Sequence, residues 1–262
     1  MSQISLSEKY LQELRQNKEF QQYCQFFGDE CTRLAEIAQR LEPIASDLRV
    51  SCHENVVRDE LAVKCRHLHR GYYCPSPTLD LIIANSSRGK ILKRPTSRSN
   101  PSFVYKFDAQ GRLLWCHDRE CNSLECLIYE ENKVYGFTFG ASSEFHTLTE
   151  EYYQNGKLAH FYVAHFPYPS YLCSSLTAEF FTYDALGLCA TQYFTYHSPL
   201  SLMDDSVPVF GLSKYFSHPS CNCLVNWQFE RQDGFLTGYR CLPIFNREGS
   251  CEVNPLRFQR KA

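Results

Sequence analysis

The chain has 262 residues, a formal net charge of -2 and 21% charged residues, a balance that argues against a dedicated nucleic-acid-binding domain, since such domains are normally clearly basic. Its 14 cysteines do not predict a disulfide scaffold, because the chain is long enough to bury a core and its first residues lack the layout of a signal peptide. No apolar run approaches the roughly 20 residues that cross a bilayer, so we expect a cytoplasmic protein without membrane contact, whose cysteines are mostly reduced and buried.

Residues 1–74 show helical periodicity, and three helices are predicted there. The first follows a capping box near the N-terminus and ends at Gly28. The second begins at Asp29 and is interrupted or kinked at Pro43, and the third runs from about residue 53 to 69. The apolar stripe of the second helix comprises Leu34, Ile37, Ala38 and Leu41. Such stripes are typical of helices that pack on one another or on a sheet.

Beyond Cys74 the period changes from about 3.6 to two, which indicates β-strands. In YKFDAQGRLLW, residues 105–115, aromatic side chains alternate with polar ones, and Asp108 to Gly111 then supply turn chemistry. A further hairpin is predicted over residues 79–94, turning between residues 85 and 89. Five copies of the hairpin pattern span residues 105–115, 127–139, 150–166, 178–197 and 225–241. The third copy turns at Asn155-Gly156, the strongest short signal for a hairpin.

These patterns predict an α+β protein, in which an N-terminal helical segment (residues 1–74) precedes a large antiparallel β-meander (residues 75–262). The organisational boundary is placed near Cys74, and the two parts are expected to form one compact unit. Parallel βαβ architecture is disfavoured, because no segment between the strands has helical length and period.

Three groups of cysteine and histidine could in principle bind zinc, although none has the spacing of a standard zinc finger. They are Cys65, His67, His69 and Cys74; His218, Cys221 and Cys223; and Cys116, His117, Cys121 and Cys126. Ordinary structural roles are favoured for all three, so no metal or cofactor is predicted. The sequence contains none of GxSxG, HExxH, GxxxxGK[ST] or a Rossmann glycine fingerprint, which favours a protein without catalysis. An unrecognised enzyme or metal-binding protein that uses one of these groups is the alternative.

Charged residues cluster in a few short runs. The basic run between Arg88 and Arg98 has no interleaved aromatic residues, so we interpret it as a solvated hairpin tip and not as a nucleic-acid arm. The acidic pairs Glu130-Glu131 and Glu150-Glu151 are expected at exposed turns or strand edges. There they would either solubilise a turn or serve as rim contacts for a basic protein partner.

The segments YKFDAQGRL and FTYDALGLC resemble the tyrosine-aspartate hairpin repeats of bacterial polymorphic toxins. The first matches best, and the second matches in part at Tyr183, Asp184 and Gly187. The matching residues of the first are Tyr105, Phe107, Asp108, Gly111, Arg112 and Leu113. Five copies are too few for a toxin shell, but similar meanders occur in small cytoplasmic immunity proteins.

This resemblance implies a non-catalytic bacterial immunity-type protein that neutralises a toxin domain. Aromatic residues make up 15% of the chain, and an exposed sheet face could present tyrosine and tryptophan anchors to the partner. The alternative is that these aromatic side chains all belong to the core.

Overall fold

The computed structural model describes residues 16–51, 55–65, 69–76, 78, 88–94, 96, 99–197, 223–243 and 253–261. One long helix, α1 (Lys18–Val50), is followed by strands and a short 3-10 helix, Gly71–Tyr73. The strands are β1 (Arg58–Val63), β2 (Lys90–Ile91), β3 (Phe103–Phe107), β4 (Leu113–Asp118), β5 (Ser123–Tyr129), β6 (Lys133–Phe139), β7 (Phe145–Gln154), β8 (Lys157–His165), β9 (Ser175–Asp184), β10 (Gly187–His197), β11 (Cys223–Gln232), β12 (Phe235–Pro243) and β13 (Val253–Lys261).

All these strands belong to one antiparallel sheet of 13 strands in the order β13-β12-β11-β10-β9-β8-β7-β6-β5-β4-β3-β1-β2. From β3 to β13 every strand pairs with its neighbours in the sequence, which is the definition of a meander. The exception is β1, which pairs with β3 on one side and with the two-residue β2 on the other. The predicted α+β class, with a helical segment before an antiparallel meander, is confirmed.

The five predicted hairpins are β3–β4, β5–β6, β7–β8, β9–β10 and β11–β12. The β7–β8 turn forms at two residues that adopt positive φ, Asn155 (φ 52) and Gly156 (φ 72). In the first hairpin, Asp108 Oδ1 accepts hydrogen bonds from the backbone N–H groups of Gln110 (2.9 Å) and Arg112 (2.8 Å). The aspartate of the repeat pattern therefore holds the turn closed.

The helix α1 is continuous, so the predicted break at Gly28 is wrong, and Pro43 lies inside the helix without ending it. Its apolar stripe packs on one face of the sheet, where Phe27, Leu34 and Leu41 meet residues from β4 to β10. This burial outweighs the weak helix propensity of a single Gly and the lost hydrogen bond of a single Pro. The predicted stripe of Leu34, Ile37, Ala38 and Leu41 is buried.

The third predicted helix, residues 53–69, is wrong, because Arg58–Val63 forms β1. The burial of residues along β1 alternates only at the end of the strand. Six residues are also too few to distinguish the helical period of 3.6 from the strand period of two. A boundary near Cys74 therefore does not separate helix from sheet, since β1 precedes it and pairs with β3. The predicted hairpin over residues 79–94 lies mostly outside the described residues, although Lys90–Ile91 does form a strand.

The opposite face of the sheet is covered in part by a segment that we call the strap, residues 69–76. Two of its residues are left-handed, Arg70 (φ 60) and Gly71 (φ 49). A Cβ on Gly71 would lie 2.8 Å from the ring of Phe103, so only glycine fits against β3 here. Below the strap, Tyr105 is fully buried, and its hydroxyl donates to the carbonyl oxygen of Arg70 (2.9 Å).

Within the described residues, no helix combines the length and the apolar character that crossing a bilayer requires.

Candidate functional site

The four acidic residues predicted as rim contacts divide into one exposed pair and one buried pair. Glu130 and Glu131 are exposed at the β5–β6 turn. Glu150 is 0% exposed and Glu151 is 3% exposed, so the expectation that this pair lies at the surface is wrong. Each buried carboxylate meets an arginine from a distant part of the chain, which is what makes its burial tolerable. The partner-contact role remains a prediction for Glu130 and Glu131.

Glu150 lies beneath α1 at the centre of a set of basic groups. Arg33 donates two hydrogen bonds to its two carboxylate oxygens, each 2.8 Å long. Lys133 Nζ lies 3.2 Å and His160 Nε2 3.0 Å from the same carboxylate. Burial alone would raise the pKa of Glu150, but the hydrogen bonds from His160 and Arg33 outweigh it and lower the pKa to about 2. This charge pair ties α1 to β7.

On the opposite face of the sheet, Glu151 belongs to a buried cluster that we call the Arg70 network, consisting of Arg70, Glu125, Thr149 and Glu151. Arg70 Nε donates to Glu125 Oε1 (2.8 Å), and Nη2 donates to Thr149 Oγ1 (2.9 Å). Nη1 donates to Glu151, which also accepts from the hydroxyl of Tyr153. Burial would lower the pKa of Arg70, but Glu125 and Glu151 raise it well above its usual value, so the guanidinium stays charged.

The Arg70 network has room only because residue 136 is glycine. Gly136 lies between Leu127 of β5 and Thr149 of β7 in the sheet. A Cβ there would lie 1.9 Å from Glu125 Oε1, 2.4 Å from Thr149 Oγ1 and 2.8 Å from Arg70 Nη2. This glycine therefore lets the guanidinium lie directly on the sheet.

Beside the Arg70 network lies a cavity of about 580 Å³, which we call the histidine cavity. A row of directly opposed residues crosses β4 to β8 along its floor: Cys116, Glu125, Thr138, Thr147 and His165. His69 and Arg70 of the strap, together with Phe103, Asp118, Glu144 and His146, complete much of the wall. Ala141 at the rim is exposed, and so is His165 at the β8 end of the floor, so the cavity opens to solvent.

Two of the three histidines that line this cavity are connected through a threonine. His146 Nδ1 lies 2.8 Å from Thr147 Oγ1, which in turn lies 3.1 Å from His165 Nδ1. A β-bulge opposite Thr138 and Phe139 inserts His146 as an extra residue next to Thr147. Burial lowers the pKa of His69 to about 4, with further contributions from Arg70 and His146. Burial also lowers the pKa of His146, against the opposing effect of Glu144. Both imidazoles are therefore neutral at pH 7.

The cavity unites members of two of the predicted cysteine-histidine groups, His69 from one and Cys116 and Cys121 from another. Burial raises the pKa of the Cys116 thiol well above its usual value, and burial and Asp118 raise that of Cys121. Neither thiol is therefore activated as a nucleophile. In the part of the chain that the structure describes, no three His, Cys, Asp or Glu side chains form a group able to hold a metal ion. His67, His218 and Cys221 lie outside the described residues.

The expectation that tryptophan presents anchors on an exposed sheet face is wrong, because Trp115 and Trp227 are both buried. An exposed apolar surface occurs elsewhere, on the side of the sheet that carries α1. Ile44 is 49% and Leu48 37% exposed, one helical turn apart. Leu48 shares a cleft with Leu114 and Trp115 of β4. We call these four residues the α1–β4 groove.

The exposed acidic turn lies close to this groove. Arg40 precedes Ile44 by one helical turn, and its guanidinium Nη2 lies 3.7 Å from Glu130 Oε1. Glu131 is the next residue of the same turn and is exposed. An apolar centre with acidic residues at its margin is thus formed by α1, β4 and the β5–β6 turn.

Sequence reasoning did not identify Arg70, Glu125, Glu144, His146 or His165 as members of a site. Their positions in the sequence range from 70 to 165, and only the pairing of β4 to β8 brings them together. One usable signal was Gly136 inside an otherwise aromatic strand, since an isolated glycine in a strand marks a bulge or a close approach of other atoms.

No family model matches the sequence, and a search of curated proteins gives no match either.

Proposed function

We propose that this chain is a non-catalytic protein-binding protein that contacts a basic partner domain through the α1–β4 groove. The observation that carries the proposal is the exposure of Ile44 and Leu48 on α1, where Leu48 lies beside buried Trp115 and the acidic turn contacts Arg40. Exposed apolar side chains with a polar margin are typical of protein interfaces. Glu130 and Glu131 would accelerate association with a basic surface.

The finer proposal is an immunity-type protein that neutralises a toxin domain. It is supported by the resemblance of the first and fourth hairpins to tyrosine-aspartate repeats. In both, the aspartate side chain accepts a backbone N–H two residues later, from Gln110 in the first and from Leu186 in the fourth. Five such hairpins make a compact sheet, which suits a small protein that blocks a partner by contact.

A role without catalysis is supported by the state of the side chains that could serve as nucleophiles or bases. The thiols of Cys116 and Cys121 have raised pKa values, and Glu125, Glu150 and Glu151 are engaged by arginines. An activated nucleophile would need a lowered thiol pKa or an oriented base.

The test is co-expression with the C-terminal domains of repeat-containing toxins encoded beside the gene, with growth as the readout. We expect one such domain to stop growth alone and to be neutralised when this protein is present. Ile44→Asp and Leu48→Asp should abolish protection and weaken the purified complex at least tenfold. Leu186→Asp is the matched control, because Leu186 is 75% exposed at the distant β9–β10 turn.

The double variant Glu130→Lys and Glu131→Lys should slow association at low salt more than it raises the dissociation rate. Thermal unfolding of every variant should resemble that of the wild type, since all these side chains are exposed or partly exposed. The proposal fails if no neighbouring toxin domain is neutralised, or if the groove variants protect as well as Leu186→Asp.

A further inference from the structure

The histidine cavity lies on the face of the sheet opposite the α1–β4 groove, and the proposed protein-binding role does not use it. Its volume of about 580 Å³ falls within the range of roughly 300 to 1,000 Å³ typical of small-molecule sites. Four of its polar or charged lining residues are less than a tenth exposed: Arg70, Asp118, Glu125 and Thr147. A concave site with so many buried polar groups is a candidate ligand site.

The charge of the cavity wall is negative. Asp118, Glu125 and Glu144 contribute three carboxylates, against the single guanidinium of Arg70. That guanidinium is already shared by Glu125 and by Glu151 behind the wall. The partly buried imidazoles of His69 and His146 add no positive charge at neutral pH.

One carboxylate oxygen in the cavity has no hydrogen-bond partner among the residues that the structure describes. Glu144 Oε2 is buried and makes no hydrogen bond within the described structure. The side chain of Glu144 folds back over Gly140, where a Cβ would lie 2.2 Å from Oε1. A buried carboxylate oxygen without a donor is costly, and a ligand that donates a hydrogen bond would satisfy it.

We propose that the histidine cavity binds a small organic cation that carries an ammonium or guanidinium group. The cationic group donates to Glu144, and the neutral imidazoles of His69 and His146 offer further hydrogen bonds without repelling it. Phe103, which is buried in the wall, supplies an apolar surface for the carbon chain of the ligand. An anion would meet three carboxylates and an arginine that is already engaged, so it fits the site poorly.

The test is calorimetric titration of the whole chain with agmatine, which carries a guanidinium and an amine. Glutarate and 1,5-pentanediol serve as an anionic and a neutral probe of similar length. We expect saturable binding of agmatine, at least tenfold weaker binding to Glu144→Gln, and no binding of the other two probes. Glu131→Gln is the matched control, because Glu131 is exposed outside the cavity, and it should bind agmatine like the wild type.

A second variant, Thr138→Phe, places a ring in the cavity floor and should abolish agmatine binding. Circular dichroism and thermal unfolding of each variant show whether it is folded before its titration is interpreted. The proposal is overturned if agmatine does not bind the folded wild type at millimolar concentration. It is also overturned if Glu144→Gln binds as tightly as Glu131→Gln, or if glutarate binds more tightly than agmatine. Since Ile44 and Leu48 lie on the other face, their variants should leave agmatine binding unchanged, so this proposal and the protein-binding role can fail separately.

Discussion

Glu150 and Glu151 are adjacent in sequence but point to opposite faces of β7, and each meets an arginine far away in the chain. Arg33 of α1 reaches Glu150, and Arg70 of the strap reaches Glu151. A pair of glutamates in a strand is expected at the surface when only the sequence is known, because the compensating cation cannot be seen. Here the two carboxylates instead hold α1 on one face of the sheet and the strap on the other.

We predict that Glu150→Gln destabilises the protein by about 3 to 5 kcal/mol at pH 7, because it removes the negative charge between Arg33 and Lys133. Chemical denaturation measures this change. Glu130→Gln, which removes an exposed carboxylate, should stay within about 0.5 kcal/mol of the wild type. Equal stabilities of the two variants would contradict the buried geometry of Glu150.

The lowered pKa of Glu150 also predicts that the free energy of unfolding depends on pH. The pKa of Glu150 is about 2 in the folded protein against an ordinary value of 4.5, so the unfolded chain takes up the proton first as the pH falls. The stabilisation is complete above about pH 4.5 and disappears as the pH falls towards 2. The difference amounts to about 3 kcal/mol. The unfolding free energy of the wild type should therefore fall more steeply over this interval than that of Glu150→Gln.

A further prediction concerns Gly136. Gly136→Ala should destabilise by about 2 to 3 kcal/mol, since the added methyl overlaps Glu125, Thr149 and Arg70. Denaturant unfolding provides the measurement. A change smaller than about 0.5 kcal/mol would show that the Arg70 network does not lie against the backbone of β6.

At the scale of the elements, a glycine in α1 gives the opposite prediction to Gly136: replacing it with alanine should stabilise the protein. A Cβ on Gly28 would have Tyr196 Oη as its nearest neighbour at 3.7 Å, which is ordinary contact. Gly28→Ala should therefore stabilise the protein by about 0.5 to 1 kcal/mol through helix propensity. A destabilisation measured in the same denaturation experiment would indicate that the helix does break at Gly28.

The β7–β8 turn tests the backbone requirement separately from packing. Gly156 has φ 72, and an added Cβ would meet nothing within 4 Å. Gly156→Val should still cost about 1 to 2 kcal/mol, because a β-branched residue is strained at positive φ. Gly156→Asn should cost less, since asparagine tolerates this conformation. If valine and asparagine proved equivalent, the turn would have a different backbone geometry.

An element could be predicted from the sequence when the residues that determine it are close together in the chain. The hairpins were predictable, because alternation and turn residues such as Asn155-Gly156 act within a few positions. The continuity of α1 through Gly28 was not, because it depends on packing against strands more than 80 residues later. The histidine cavity could not be predicted for the same reason, since its lining comes from six strands, β3 to β8, together with their turns and the strap.

At the scale of the whole molecule, the thiol chemistry can be checked in a single experiment. The nine cysteines that the structure describes with side chains are present as thiols, and six of them are buried. We expect iodoacetamide to label exposed Cys121 first under native conditions, and most of the 14 cysteines only after denaturation without reductant. Intact mass spectrometry counts the labels. Several thiols that remain unlabelled until a reductant is added would indicate disulfides and contradict the expected cytoplasmic location.

The order of the strands also determines how the chain can acquire its structure during synthesis. Each hairpin from β3 onward can close as soon as its second strand leaves the ribosome, because its pairing partner has just been made. The apolar stripe of α1 has no such partner nearby, since Phe27 packs against Phe194, about 170 residues later in the chain. At roughly 5 to 20 residues per second, this stripe waits on the order of ten to thirty seconds for its far end to be covered. Among the described elements, α1 is synthesised first and is among the last to be fully buried, so nascent chains that stop before β9 carry a helix with an exposed apolar face.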